Sequence, residues 1–189
     1  SRHLGLIPAA ERATLAGQAI DRMGALIAAS CDLDALLALA ARATVLPGPA
    51  WSPLPATART IPAPTIAIAG GAAFTFGYTE QAELLEAAGA RVARFDPLRD
   101  EDLPEGTAGL VLGGGFPEMH AADLSANGRL RDRVAALAAR GAPVAAECAG
   151  LLYLARTLDD RPMCGVLDVR ATMTPKLTPL PPCTATPAG

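Results

Sequence analysis

Histidine is almost missing from this 189-residue chain, which has His3 and His120 and no others. A histidine-rich metal site is therefore not expected. The four cysteines, Cys31, Cys148, Cys164 and Cys183, show no CxxC spacing, so neither a zinc cluster nor a disulfide framework is expected. Aromatic residues make up only 4% of the chain, while hydrophobic residues, many of them alanine, reach 51%. That balance favours helices packed closely on a sheet. The net charge of −3 argues against a nucleic-acid footprint, and no basic cluster suggests a membrane surface. Long apolar runs are lacking too: the stretch from Val134 to Leu154 is broken by Arg140, Gly141, Pro143 and Glu147. The opening Ser1-Arg2-His3 does not read as a secretory leader. These features lead us to expect a soluble protein of the reducing cytoplasm, with no nucleic-acid or membrane partner.

What is present divides into two textures. From about Glu11 to Ala43, Ile20, Met23, Leu26 and Ile27 recur at helical spacing. Asp32 or Asp34 can cap a second helix bearing Leu33, Leu36, Leu37 and Leu39. Prolines 47, 49, 53, 55, 62 and 64 then exclude regular structure and predict an extended linker. Beyond it the pattern alternates between strand and helix. Thr65–Ala69, Arg91–Phe95, Gly109–Leu112 and Pro143–Glu147 read as strands. Thr79–Ala88 reads as a helix ended by Gly89, and Asn127 can cap a helix through Leu130, Val134 and Leu137, closed by Gly141. This rhythm predicts an α/β, doubly wound, mostly parallel sheet with its chemistry at the carboxyl ends of the strands.

Two motifs fall at those ends. In Ala145-Ala146-Glu147-Cys148-Ala149-Gly150 a buried strand turns at one cysteine into an apolar helix. A thiol so placed has a helix N-terminus behind it, which favours the thiolate and suits a nucleophile. The competing reading is a small core residue. In Leu112-Gly113-Gly114-Gly115-Phe116-Pro117-Glu118 a strand runs into consecutive glycines whose N–H groups can face a cleft. A phosphate loop would continue into Lys-Ser/Thr, which is absent here. The remaining uses are a tight turn or an oxyanion cradle for acyl transfer, and the nearby strand-end cysteine favours the second.

These motifs, together with Ala72-Ala73-Phe74-Thr75-Phe76-Gly77-Tyr78, Leu84–Ala90 and Cys148–Leu154, resemble the glutamine amidotransferase part of the cobyrinate a,c-diamide synthases. Arg2–Leu6 and Asp32-Leu33-Asp34 resemble the segment ending that family's ATP-binding domain, and the likeness covers most of Arg2 to Thr178. It implies a class I amidotransferase fold of flavodoxin-like type, preceded by a short helical segment. It implies three regions: residues 1–45 as the end of an ATP-binding synthetase domain, 46–64 as the linker, and 65–189 as a C-terminally truncated amidotransferase domain. The activity implied is ATP-dependent amidation of the a and c carboxylates of cobyrinate or hydrogenobyrinate, in cobalamin biosynthesis, with ammonia from glutamine. ATP and Mg2+ would bind through an N-terminal domain outside this sequence. The partners implied are small molecules (glutamine, the corrin precursor and ATP), and a homodimer is left open. Carried over residue by residue, Cys148 is the nucleophile and the Gly114 and Ala149 N–H groups are the oxyanion donors. No cofactor-binding or metal-binding residue is expected in this chain.

The sequence also departs from that family's pattern. Ala149 stands where the family has a glycine, Gly70-Gly71 where it tends to a charged pair, and Gln81 where it has asparagine. The histidine base that thiol chemistry needs is expected beyond Gly189. His3 lies in the wrong segment, and His120 is read as a loop or helix-start residue. Pro179, Pro181 and Pro182 exclude an inner strand where the family has one. This chain alone is therefore expected to be inactive. Other readings left open are a sister ligase acting on another tetrapyrrole or a cell-wall precursor, a catalytically dead α/β domain, and a stand-alone cysteine hydrolase of the DJ-1 or PfpI kind. Cys31 and Cys164 are read as core or surface thiols, and Glu118 and Glu147 as local contacts.

Overall fold

The computed structural model describes residues 13–45, 47–53 and 63–174. The expected features of the 175–189 tail and of 54–62 in the linker lie outside the described residues. Two helices come first, α1 (Ala13–Ser30) and α2 (Leu33–Ala41). Asp32, not Asp34, is the cap of α2: its Oδ1 accepts the Ala35 N–H at 2.9 Å. Both helices leave large apolar side chains in the open, with Leu26 65% and Leu37 68% exposed. No single helix among the described residues is long and apolar enough to cross a membrane; α1 and α2 reach that length and composition only as a pair bent by 87°.

The sheet comprises β1 (Thr65–Ala69), β2 (Arg91–Phe95), β3 (Thr107–Leu112) and β4 (Val144–Ala146), in spatial order β2-β1-β3-β4. Every neighbouring pair is parallel, with Ala67 opposite Ala93 on one side and Leu110 on the other. Parallel neighbours require crossovers, and the helices supply them. Helix α3 (Thr79–Ala87) joins β1 to β2, and Gly89 at φ 92° closes it as expected. Between β3 and β4 run a 3-10 turn (Pro117–His120), α4 (Ala121–Ala126) and α5 (Gly128–Ala139). The Asn127 side chain caps α5 on the Leu130 N–H at 3.3 Å. Its amide also donates to the Pro97 and Asp100 carbonyls, anchoring the 96–105 loop to the start of the helix.

Leu130, Val134 and Leu137 form one stripe along α5 and are buried with Leu110 and Leu112 of the sheet and Tyr153 beyond it. Burying such a side chain contributes about 1.5–3 kcal/mol, so this stripe holds the crossover on the sheet. After β4 comes α6 (Ala149–Leu154), followed by a small second sheet of β5 (Thr157–Leu158), β6 (Arg161–Pro162) and β7 (Arg170–Ala171) in order β6-β5-β7. Hydrophobic periodicity does not reveal this second sheet, because two-residue strands carry none. Its one local signal is Asp159-Asp160, both at positive φ (48° and 61°), the conformation of a type I′ hairpin turn. The β4-to-α6 connection completes the doubly wound α/β architecture.

Candidate active site

Strand β4 does not simply stop at Ala146. The Glu147 N–H still reaches the Leu112 carbonyl at 3.1 Å, and the chain then reverses at a single residue. Cys148 takes φ 47° and ψ −108°, a backbone state that costs a residue with a Cβ of order 1–3 kcal/mol. Such strain persists only when surrounding packing enforces it, and Gly150 supplies that packing. Its N–H donates to the Gly113 carbonyl at 3.0 Å and to the Glu147 carbonyl at 2.8 Å. A Cβ at Gly150 would collide with the Leu112 carbonyl oxygen and lie 2.6 Å from the Leu112 Cβ, so helix α6 can seat this close to β3 only with glycine there. The elbow carries its sulfur on the outside: Cys148 is exposed while Ala149 and Gly150 are buried. The result is a side chain held out at a strained strand-to-helix turn, a geometry that suits a nucleophile.

The glycine turn lies beside it because β3 and β4 are hydrogen-bonded neighbours. Gly113–Gly115 is fastened to the segment after β1. A Cβ at Gly113 would stand 2.6 Å from the Phe76 carbonyl oxygen, and one at Gly115 would collide with the Ala73 carbonyl. Phe76 and Gly114 form an isolated bridge, with the Phe76 N–H on the Gly114 carbonyl at 3.0 Å and the Gly114 N–H on the Phe76 carbonyl at 2.9 Å. The two donors expected from sequence therefore differ in state. The Ala149 N–H, at the first position of α6, has no backbone acceptor among the described residues, whereas the Gly114 N–H is already engaged. Sequence reasoning missed this bridge. Its one visible signal is the alternation of aromatic and small residues in Phe74-Thr75-Phe76-Gly77, which seats Phe76 edge-on against Phe116 at 5.2 Å.

Two cavities open along this edge. One of about 170 Å³ lies between the ends of β3 and β4, lined by Tyr78, Gln81, Gly113, Ala145, Ala146 and Glu147. A larger one of about 690 Å³ lies over the ends of β1 and β2 and shares Tyr78, Gln81, Val111 and Gly113 with the first. Gln81 and Tyr78 thus stand between them. His120 ends the 3-10 turn and precedes α4, the helix-start position expected of it.

Behind the elbow, α6 is anchored by Tyr153, fully buried and edge-on to Phe74 with ring centres 5.6 Å apart. Its hydroxyl lies beside the Cys164 thiol without a hydrogen bond of ordinary geometry, and burial pushes its pKa up. Burial likewise pushes the Cys164 thiol up to about 12. Arg131 of α5 closes this pocket, donating to the carbonyls of Met163 at 3.0 Å and Ser125 at 2.9 Å. Cys164 is thus a core thiol, while Cys31, just past α1, is exposed. Among the described residues no group of three histidine, cysteine or acidic side chains could hold a metal ion.

Comparison with known proteins agrees with this layout. The family model of the CobB/CobQ-like glutamine amidotransferase domain matches residues 65–180. The hydrogenobyrinate a,c-diamide synthase of Streptomyces coelicolor is 52% identical over 94% of this chain and 43% of its own length. That of Mycobacterium tuberculosis is 51% identical over 94% of this chain and 38% of its own length. The cobyrinate a,c-diamide synthase of Methanothermobacter thermautotrophicus is 39% identical over 92% of this chain and 38% of its own. The chain therefore spans about two fifths of the length of the curated relatives it matches.

Proposed function

This chain belongs to the CobB/CobQ-like glutamine amidotransferase family, and from that premise we propose that it is the glutamine-hydrolysing part of a synthase that amidates the a and c carboxylates of hydrogenobyrinate or cobyrinate. The names of its relatives support the acceptor. The observation that carries the chemistry is the strained, outward-facing Cys148 at the β4–α6 elbow. In this reading the Cys148 sulfur, its proton removed, attacks the side-chain amide carbon of glutamine. The carbonyl oxygen becomes an oxyanion beside the Ala149 N–H. Collapse of that intermediate expels ammonia, with a proton delivered to the leaving nitrogen, and leaves a glutamyl thioester. Water then cleaves the thioester to glutamate and frees the thiol.

Gly114 is the second proposed donor. It can serve only when its N–H leaves the Phe76 carbonyl, because one N–H does not saturate two acceptors at full strength. A donor of this kind is worth about 3 kcal/mol of transition-state stabilisation. The bridged state of Gly114 is the specific observation favouring a second reading for the isolated chain, that it is silent towards glutamine. The Gly113–Gly115 turn is not built as a nucleotide-phosphate loop: it is packed against 73–76 and runs into Phe116-Pro117, with no Lys-Ser/Thr. We assign ATP and Mg2+ to the synthetase domain, of which residues 1–45 are the end. Residues 46–64 are then the linker and 65–189 the amidotransferase domain. Glutamine and the corrin acid are its small-molecule partners, and the reduced thiol that the mechanism requires suits the cytoplasm.

Cys148→Ser in the complete synthase tests this assignment. Amidation driven by glutamine is expected to vanish while amidation driven by free ammonia continues. Equal loss with both nitrogen sources sinks the proposal. A glutaminase assay on the 189-residue chain decides the second reading, since Cys148-dependent turnover there rejects it.

A further inference from the structure

We infer that the larger cavity, over the ends of β1 and β2, binds a small molecule that carries an oxyanion head, a carboxylate or a phosphate, on a short carbon body. The inference does not rest on the role of Cys148, which is absent from the walls of this cavity. From the ends of β1 and β2 the cavity extends to Val111 and Gly113 of β3, and so reaches the β1–β3 boundary, where the connections of this open parallel sheet diverge and ligands tend to bind.

The chemistry of the walls selects the ligand. Arg94 lines the cavity and has no ion pair or hydrogen bond among the described residues, so a guanidinium fork is available for a planar or tetrahedral oxyanion. Thr75 also lines the cavity, and its hydroxyl is buried with no hydrogen-bond partner, so it meets a ligand only by turning towards the space. A buried polar atom left unpaired costs about 1–3 kcal/mol, a deficit that a bound acceptor removes. Helix α3 begins at the rim, and Tyr78 at its cap position makes no side-chain bond to it, so its first N–H groups gain no side-chain cap. Arg94, Thr75 and the start of α3 thus border one space.

Asp96 is the acid on these walls, and its charge is spent locally. Its Oδ1 accepts the Leu98 N–H at 3.0 Å and its Oδ2 lies 3.6 Å from the Arg99 Nε. That loop geometry depends on Gly71, at φ 80°, where a side chain would collide with the Asp96 carboxylate. Ile68, Phe74 and Leu98 supply an apolar floor, which suits a carbon skeleton behind the charged head.

The test is a titration of the uniformly 15N-labelled chain with inorganic phosphate and, separately, with butyrate, at constant ionic strength against chloride. Saturable shifts of the Gly71, Thr79 and Glu80 amides are expected with at least one of the two. Arg94→Gln is expected to weaken that binding by at least about tenfold, and Thr75→Val by about threefold. Saturation with phosphate alone identifies a phosphate ligand, and with butyrate alone a carboxylate. Shifts that stay linear with both anions, or that are the same in Arg94→Gln, overturn the inference. Because Arg94 is exposed, its replacement leaves the fold intact, as unchanged amide positions on β3 and α5 will verify. Cys148→Ser is expected to bind the anion as the parent chain does, so failure of the glutaminase assignment and failure of this site are separable.

Discussion

The α1–α2 pair and the α/β layers that follow are written in the same alphabet of leucine, isoleucine and alanine, yet they use it differently. In α5, Leu130, Val134 and Leu137 recur at helical spacing and disappear into the core. In α1 and α2, Ile20, Met23, Leu26, Leu36 and Leu37 recur at the same spacing and are exposed. A helical stripe therefore tells which face seeks a partner without telling whether the partner is present. Where β3 and β4 supply one, the stripe is converted into stability. In α2 no side chain is buried among the described residues, and the start of that helix is held by the Asp32 cap.

Unfolding in urea breaks or sharpens that contrast most directly. Leu130→Ala is expected to cost about 2–5 kcal/mol, the range for emptying a packed site. Leu37→Ala is expected to stay within about 0.5 kcal/mol, as surface changes do. Comparable losses at the two positions erase the distinction.

The elbow yields the next largest effect, with the opposite sign. Cys148→Gly removes the strain of a Cβ at φ 47° and should stabilise the chain by about 1–3 kcal/mol while removing the sulfur. Thermal unfolding of the parent and the variant measures it. A lower melting temperature for Cys148→Gly shows that the elbow is relaxed in solution.

The two described cysteines of the α/β layers make a smaller comparison. Exposed Cys148 should react with iodoacetamide under native conditions, and buried Cys164 only when the chain opens. Cys164 also predicts a pH dependence. Its folded pKa of about 12 lies above the ordinary 9.0, mainly through burial. Its contribution to stability is therefore complete below pH 9 and is lost as pH rises towards 12. Cys164→Ala should flatten that alkaline loss in urea midpoints measured across the range; an unchanged slope refutes the assignment.

At the acid end the effect is the smallest. Some desolvation raises the Asp102 pKa, but the Leu103 N–H, Arg133 and Arg129 outweigh it and hold the carboxyl below its ordinary value. Its stabilising share is present above the ordinary carboxylate pKa and falls away as pH drops through the lowered one. Asp102→Asn should slightly lower the neutral-pH urea midpoint and converge with the parent chain at low pH, so that the fall on acidification is slightly smaller.

Much of this arrangement is legible in residue order because its causes are local. Alternating strands and amphipathic helices, Gly89 and Gly141 at helix ends, and Asn127 as a cap are each set by one residue's backbone preference or one short side-chain bond. Asp32 against Asp34 could not be decided this way, since both are good caps at adjoining positions. The second sheet was invisible because its pairs join segments with no repeat. The Phe76–Gly114 bridge was invisible for the same reason: it depends on where the ends of β1 and β3 lie side by side.

Sequence alone settled that a cysteine follows a short apolar strand and precedes a helix, and that a run of glycines follows another strand. Those facts need only covalent neighbours and their intrinsic preferences. Tertiary structure alone decided that the Cys148 backbone is strained, that the Gly114 N–H is bonded while the Ala149 N–H has no backbone acceptor among the described residues, and that Arg94 and Thr75 share a cavity. The physical reason is that each is a contact between segments far apart in the chain, fixed by the parallel register of β1, β2, β3 and β4 rather than by any residue's own propensity.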